Sequence, residues 1–103
     1  MAILSTLLGT SAIAITPNLT TDSAITVIMF CNLNTSIENI DVHVVASSGT
    51  PTNTNKIVSQ APIDPSDTFI FSTERLVLSP GDRIYAKTTT LNMVSVTASY
   101  VVI

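Results

Sequence analysis

Apolar residues recur at every second position along most of this chain, and the three- and four-residue spacing of an amphipathic helix is nearly absent. In Ile40-Asp41-Val42-His43-Val44-Val45-Ala46 the set Ile40, Val42, Val44 and Ala46 alternates with Asp41 and His43. Near the end, Val94, Val96, Ala98, Tyr100 and Val102 alternate with Ser95, Thr97 and Ser99. A period of two sends neighbouring side chains to opposite faces, so each run reads as a strand with one face buried. The run Ala24-Ile25-Thr26-Val27-Ile28-Met29-Phe30-Cys31 is apolar on both faces, which suits a central strand or one covered twice, by the core and by a partner. Phe69 and Phe71 around Ile70, then Leu76-Val77-Leu78, then Ile84 and Ala86 across Tyr85 and Lys87, add three shorter candidates.

Turn residues separate these runs. Thr16-Pro17-Asn18, Ser47-Ser48-Gly49-Thr50-Pro51 and Ser79-Pro80-Gly81-Asp82 are turn clusters, and Pro80-Gly81 fits the centre of a type II turn, because proline presets φ and glycine accepts φ > 0. Thr52-Asn53-Thr54-Asn55 extends the second cluster into a polar loop. With two prolines, residues 61–67 are expected to hold little ladder pairing. Asn34-Thr35-Ser36-Ile37-Glu38 is either a short helical turn or a long hairpin loop. Strand-sized segments at this spacing give roughly seven or eight strands. The expected fold is all-β: an antiparallel β-sandwich, Ig-like or jelly-roll-like, with residues 1–10 as an apolar N-terminal arm or first strand and 11–103 as a single domain.

The opening segment resembles a signal peptide only in being apolar with small residues. No Lys or Arg precedes it, Gly9, Thr10 and Ser11 interrupt it, and it is too short to span a bilayer. Such a start has to pack on something, and Ile3, Leu4, Leu7 and Leu8 are candidate subunit-contact residues.

Function classes narrow by charge. Four Lys and Arg stand against seven Asp and Glu, while Ser, Thr and Asn together make 35 of the 103 residues. So few cations supply neither a basic stripe for nucleic acid nor a polybasic patch for an anionic membrane. One cysteine, Cys31, forms no intrachain disulfide, and at the end of an apolar strand it reads as a small buried hydrophobe. His43 is the sole histidine and reads as a surface or interface residue beside Asp41, with no third group to complete a catalytic set. Asp64, Asp67 and Asp82 lack a calcium-loop pattern and are expected to bond their own turns. The pairs Glu74-Arg75 and Asp82-Arg83 read as surface ornament at strand starts. The sequons at Asn18 and Asn34 occur at chance frequency, and three glycines are too few for a phosphate-cradling loop. No catalytic residue, cofactor or metal is expected.

The order of segments carries a likeness of its own. Ile28-Met29-Phe30-Cys31-Asn32-Leu33-Asn34, the strand from Ile40 with Ser47-Ser48-Gly49, Ser66-Asp67-Thr68-Phe69-Ile70-Phe71, Leu76-Val77-Leu78-Ser79-Pro80-Gly81-Asp82-Arg83-Ile84 and Val94-Ser95-Val96-Thr97-Ala98-Ser99-Tyr100 together resemble small β-sandwich virion proteins of tailed bacteriophages, most of all phages of cyanobacteria and other aquatic bacteria. The resemblance covers roughly residues 24–103 and implies a non-enzymatic virion component of the head, neck or tail. It implies partners among other virion proteins and copies of itself, in a trimer or cyclic ring. The alternative is a receptor- or glycan-binding module, with a loop face built from residues 47–55 and 91–93.

Overall fold

A computed structural model describes residues 2–17, 19–71 and 76–103. Its strands are β1 (Ala2–Leu7), β2 (Ile13–Ala14), β3 (Ser23–Asn32), β4 (Glu38–Val45), β5 (Lys56–Ile63), β6 (Thr68–Phe71), β7 (Leu76–Leu78), β8 (Arg83–Thr88) and β9 (Val94–Val102). They form two antiparallel sheets packed as a sandwich. One has the order β1-β9-β3-β6, with β7 also on β3, and the other the order β2-β8-β4-β5.

The pairing is that of one long hairpin wrapped into a barrel-like roll: β1 with β9, β2 with β8, β3 with β6 and β7, and β4 with β5. With β6 and β7 counted together as the side of β3 that both pair, this is the strand order of a jelly roll. The registers also fix the two ends. Val45 lies opposite Arg83 and Ile40 opposite Thr88, so the loops at 33–37, 64–67 and 89–93 share one end with the turn after β1. The 46–55 loop and the 79–82 turn share the other.

The core lies between the sheets. Ile25, Ile28, Phe30, Val94, Val96 and Ala98 come from the first sheet and Ile40, Val42, Ile84 and Ala86 from the second, all buried. Phe30 meets Phe69 edge-on at 6.2 Å between ring centres. On β3 the spacing from Ile25 to Ile28 breaks the period of two because Thr26 is an extra residue: the register shifts between Ile25 and Val27, and Thr26 Oγ1 donates to Ser99 O at 3.0 Å. Both isoleucines therefore point inward. At Gly81 φ is +88° and Asp82 N–H donates to Ser79 O, the type II turn that the Pro-Gly pair requires.

Several expectations need correction. Ala46 and Val102 were in phase with the inward sets, but Ala46 follows the end of β4, Val102 is the last residue of β9, and both are exposed. Residues 61–63 pair after all: Pro62 lies opposite Asn39 on β5, an edge strand whose free side has no use for the missing N–H. Residues 34–36 are bends, not a helical turn. Leu8 is fully buried in the chain's own core, so it is not free for a subunit contact; Leu4 is half-buried, and Ile3 and Leu7 are exposed. The first ten residues are thus led by a sheet strand, β1, that pairs along β9.

Candidate functional site

Two sheets give two outer faces, and their chemistry differs. Across the β1-β9-β3-β6 face the registers set Leu7, Ser95, Cys31 and Thr68 in one row, and Ser5, Thr97, Met29 and Ile70 in the next. Ile3, Ser99 and Val27 form a third, and Val101, Ala24 and Val77 a fourth. No described residue on this face is charged. Ile3 (69%), Val77 (63%) and Ile70 (58%) are more than half exposed, and Leu7 and Met29 are exposed as well. The neutral side chains partner one another, as Ser5 Oγ and Thr97 Oγ1 do across strands at 3.2 Å. This explains why the β3 segment is apolar on both sides: one side faces the core and the other lies on this outer face.

The β2-β8-β4-β5 face is polar. Tyr85, His43 and Lys56 form one row and Lys87 and Asp41 the next. Asp41 (6% exposed) and His43 (5%) are buried within the chain, whereas His43 was expected as a surface or interface residue beside Asp41. They do point away from the core; neighbouring strands and the 52–55 loop cover them. β5 passes beside them through two register shifts. At the first, Gln60 takes a φ of +49° and turns its N–H onto Asp41 Oδ1 at 2.6 Å. Lys56 and Lys87 both bring Nζ to 3.6 Å from Asp41 Oδ2. Burial pushes the Asp41 carboxyl up, but the Gln60 N–H and the two ammonium groups outweigh it and hold the group below the usual carboxylate range.

His43 Nδ1 lies 3.0 Å from Thr52 O and 2.9 Å from Asn55 Oδ1. Asn55 Oδ1 also accepts Thr52 N–H while its Nδ2 donates to Thr50 O, so both neighbours of the ring nitrogen are acceptors and Nδ1 carries the proton. The ring pins the loop. Beside it, Thr10, Thr52, Lys56 and Lys87 line an open hollow of about 410 Å³.

One group that the sequence reading passed over is Glu38. It is buried at the end of the core, with Oε1 accepting Thr88 Oγ1 and Thr90 N–H, both at 2.9 Å, and Oε2 accepting Asn34 Nδ2 at 3.0 Å. Asn32, also buried, donates to Ser36 O and Ile63 O and accepts Asn34 N–H. Burial raises the Glu38 pKa, and the bonds from Asn34, Thr90 and Thr88 bring it below the ordinary value. The network ties three loops to the sandwich end. Its signal was available: Asn32 is in phase with Phe30, and Glu38 with Ile40, so both polar residues hold inward positions.

The other candidates are dispersed. Cys31 is half-buried on the neutral outer face, not sealed in the core. Asp82 accepts Ser79 N–H within its own turn and Ser47 N–H from the 46–55 loop, Asp67 Oδ1 accepts Thr68 N–H, and the backbone bond from Asp67 N–H to Asp64 O closes the 64–67 turn. Among the described residues no three His, Cys, Asp or Glu side chains converge. Glu74-Arg75 and Asn18 lie outside the described residues. The loop face imagined from residues 47–55 and 91–93 does not exist, because those loops sit at opposite ends of the sandwich. Comparison with family models, curated proteins and solved structures returned no match.

Proposed function

We propose that this chain is a non-enzymatic structural subunit of a tailed-phage particle that assembles by covering the neutral outer face of the β1-β9-β3-β6 sheet with copies of itself. That face carries the reading. The 32 residues of β1, β9, β3, β6 and β7, at about 3.3 Å each along strands about 4.8 Å apart, give on the order of 500 Å² in projection, before side-chain relief is counted. A standard interface takes about 800 Å² of accessible surface per partner, so one such face is of the right size. Among the described residues of the face, all neutral, a chain of net charge −3 brings no like charges together. The jelly-roll order is shared by viral capsid and lectin domains, which supports the reading by analogy of fold alone.

The test is in two parts. Light scattering of the purified chain is expected to give a mass several times that of one subunit, and Met29→Glu with Ile70→Glu is expected to lower it without moving the thermal melt by more than a few degrees. Quantitative mass spectrometry of phage particles then assigns the place: copy numbers near that of the capsid protein mean head decoration, and a few to a few dozen mean neck or tail. A single-chain mass at every concentration, or absence from the particle, overturns the proposal. The hollow beside His43, Lys56 and Lys87 favours a second reading, a glycan- or receptor-binding module using the polar sheet face in place of the loops. Retention of the protein on a glycan array, lost in Lys87→Ala, is the result that would select it.

A further inference from the structure

A sandwich of two open sheets has four edges, and three of them here are blunted. β2 has only two residues, and along the β6 and β7 side the register against β3 shifts by two, Phe71 lying opposite Ile28 and Leu76 opposite Ile25. β5 is long but carries Pro62, Lys56 and two register shifts. Short strands, prolines, lysines and bulges are the devices by which proteins keep edges from pairing with other chains. β1 has none of them. Its six residues, Ala-Ile-Leu-Ser-Thr-Leu, contain no charge and no proline, and their register on β9 runs unbroken from Ala2 opposite Tyr100 to Leu7 opposite Ser95.

The groups on the free side of β1 follow from the ladder. Leu8 N–H donates to Val94 O, so the amide of Leu8 points toward β9. Backbone groups alternate sides along an antiparallel strand, which turns those of Ile3, Ser5 and Leu7 to the open edge. The same three side chains lie on the neutral outer face.

We infer that β1 is a pairing edge whose partner is β1 of a second copy, joined antiparallel about a two-fold axis into one continuous sheet. The inference rests on the assembly reading above and names its first contact. Only free-side residues can bond one another, so odd positions must face odd positions. The register that uses all three puts Ser5 opposite Ser5 of the copy and Ile3 opposite its Leu7, at both ends of the strand. The strand is complementary to itself, as a two-fold contact demands. Exposed Ile3 then packs on exposed Leu7, and both neutral outer faces merge into a single surface twice as large. A foreign strand would satisfy the backbone but not this symmetry.

Ser5→Pro is the deciding variant, because it removes an N–H from the free side and leaves the even-numbered amides on β9 in place. Near-native circular dichroism with the dimer step abolished is expected in light scattering, whereas Thr6→Pro, which removes an amide turned toward β9, is expected to disturb the fold itself. Hydrogen exchange on the wild-type protein supplies the second measurement: the amides of Ile3, Ser5 and Leu7 should slow at least tenfold between dilute and concentrated solution. Should Ser5→Pro keep the wild-type mass, or those three amides exchange at one rate at all concentrations, edge pairing is wrong. If the assembly still loses mass on Met29→Glu with Ile70→Glu in that case, the face reading stands without it. A monomer at every concentration removes both.

Discussion

The two outer faces of this sandwich belong to antiparallel sheets of one chain, yet one is left neutral and the other is built around a buried carboxylate. On β9 and β3 the outward positions hold Thr97, Met29 and Cys31, side chains that lose little when water is replaced by another protein surface. On β4 and β8 they hold Asp41, His43 and Lys87, and the chain spends a double bulge and a positive φ at Gln60 to satisfy Asp41 within itself. A face whose polar groups are already paired internally is finished in the monomer. A face of exposed Ile, Val, Leu and Met gains stability when something covers it. The division of labour between the sheets is therefore the basis for treating the first as an assembly surface and the second as a solvent surface.

The sharpest way to break this comparison is to move a charge across one strand. Val96 is buried, and Val96→Asp is expected to unfold the domain, since an unpaired carboxylate in the core costs several kcal/mol and more. Its neighbour Thr97 lies on the neutral outer face, so Thr97→Asp should leave the melt nearly unmoved while lowering the assembled mass. If both unfold the domain alike, the outward face has been misassigned. On the other sheet, Asp41→Ala should destabilise by about 2–3 kcal/mol, because it strips a charged acceptor from the Gln60 amide. A denaturant midpoint shift near zero would mean that the face is not internally satisfied.

The pH dependence sharpens the comparison further. The folded-state pKa values of Asp41 and Glu38 lie below their ordinary values, so the stability that they contribute is full above the usual carboxylate range and is lost as pH falls through the folded values. Stability should drop below about pH 4, and Asp41→Asn with Glu38→Gln should flatten that slope. Assembly through the neutral face should show no such dependence above that range. Smallest of all is Lys87→Ala, expected to cost about 0–1 kcal/mol, since Lys56 still accompanies Asp41 and Lys87 is partly exposed.

Much of the fold was legible because the period of two survives wherever one sheet face meets the other. The inward sets on β8 and β9 follow it from Ile84 to Ala86 and from Val94 to Ala98. It failed where an element ends or bulges: Ala46 runs past β4, and the double shift on β5 falls over residues 56–61, ahead of the proline segment, where adjacent Ile57 and Val58 give no period. The polar site was hidden for a different reason. Alternation places Asp41 and His43 away from the core but is silent on what neighbouring strands lay over them, and the loop that covers His43 is set by Asn55, a residue with no periodic signal. Ile3 and Leu7 were separable from Leu8 only by the register of β1, which turns odd residues out and buries Leu8 opposite Val94.

Cys31 offers the most direct test of the central claim, because the native thiol lies in the middle strands of the neutral face, between Ser95 and Thr68. Its rate of labelling by a maleimide, followed from dilute to concentrated protein, reads whether that face is covered. Labelling is expected to be at least tenfold slower in the assembled protein, with the fast rate restored by Met29→Glu with Ile70→Glu. A thiol that reacts at the same rate in a fully assembled sample would contradict it, because the subunits would then meet through some other surface.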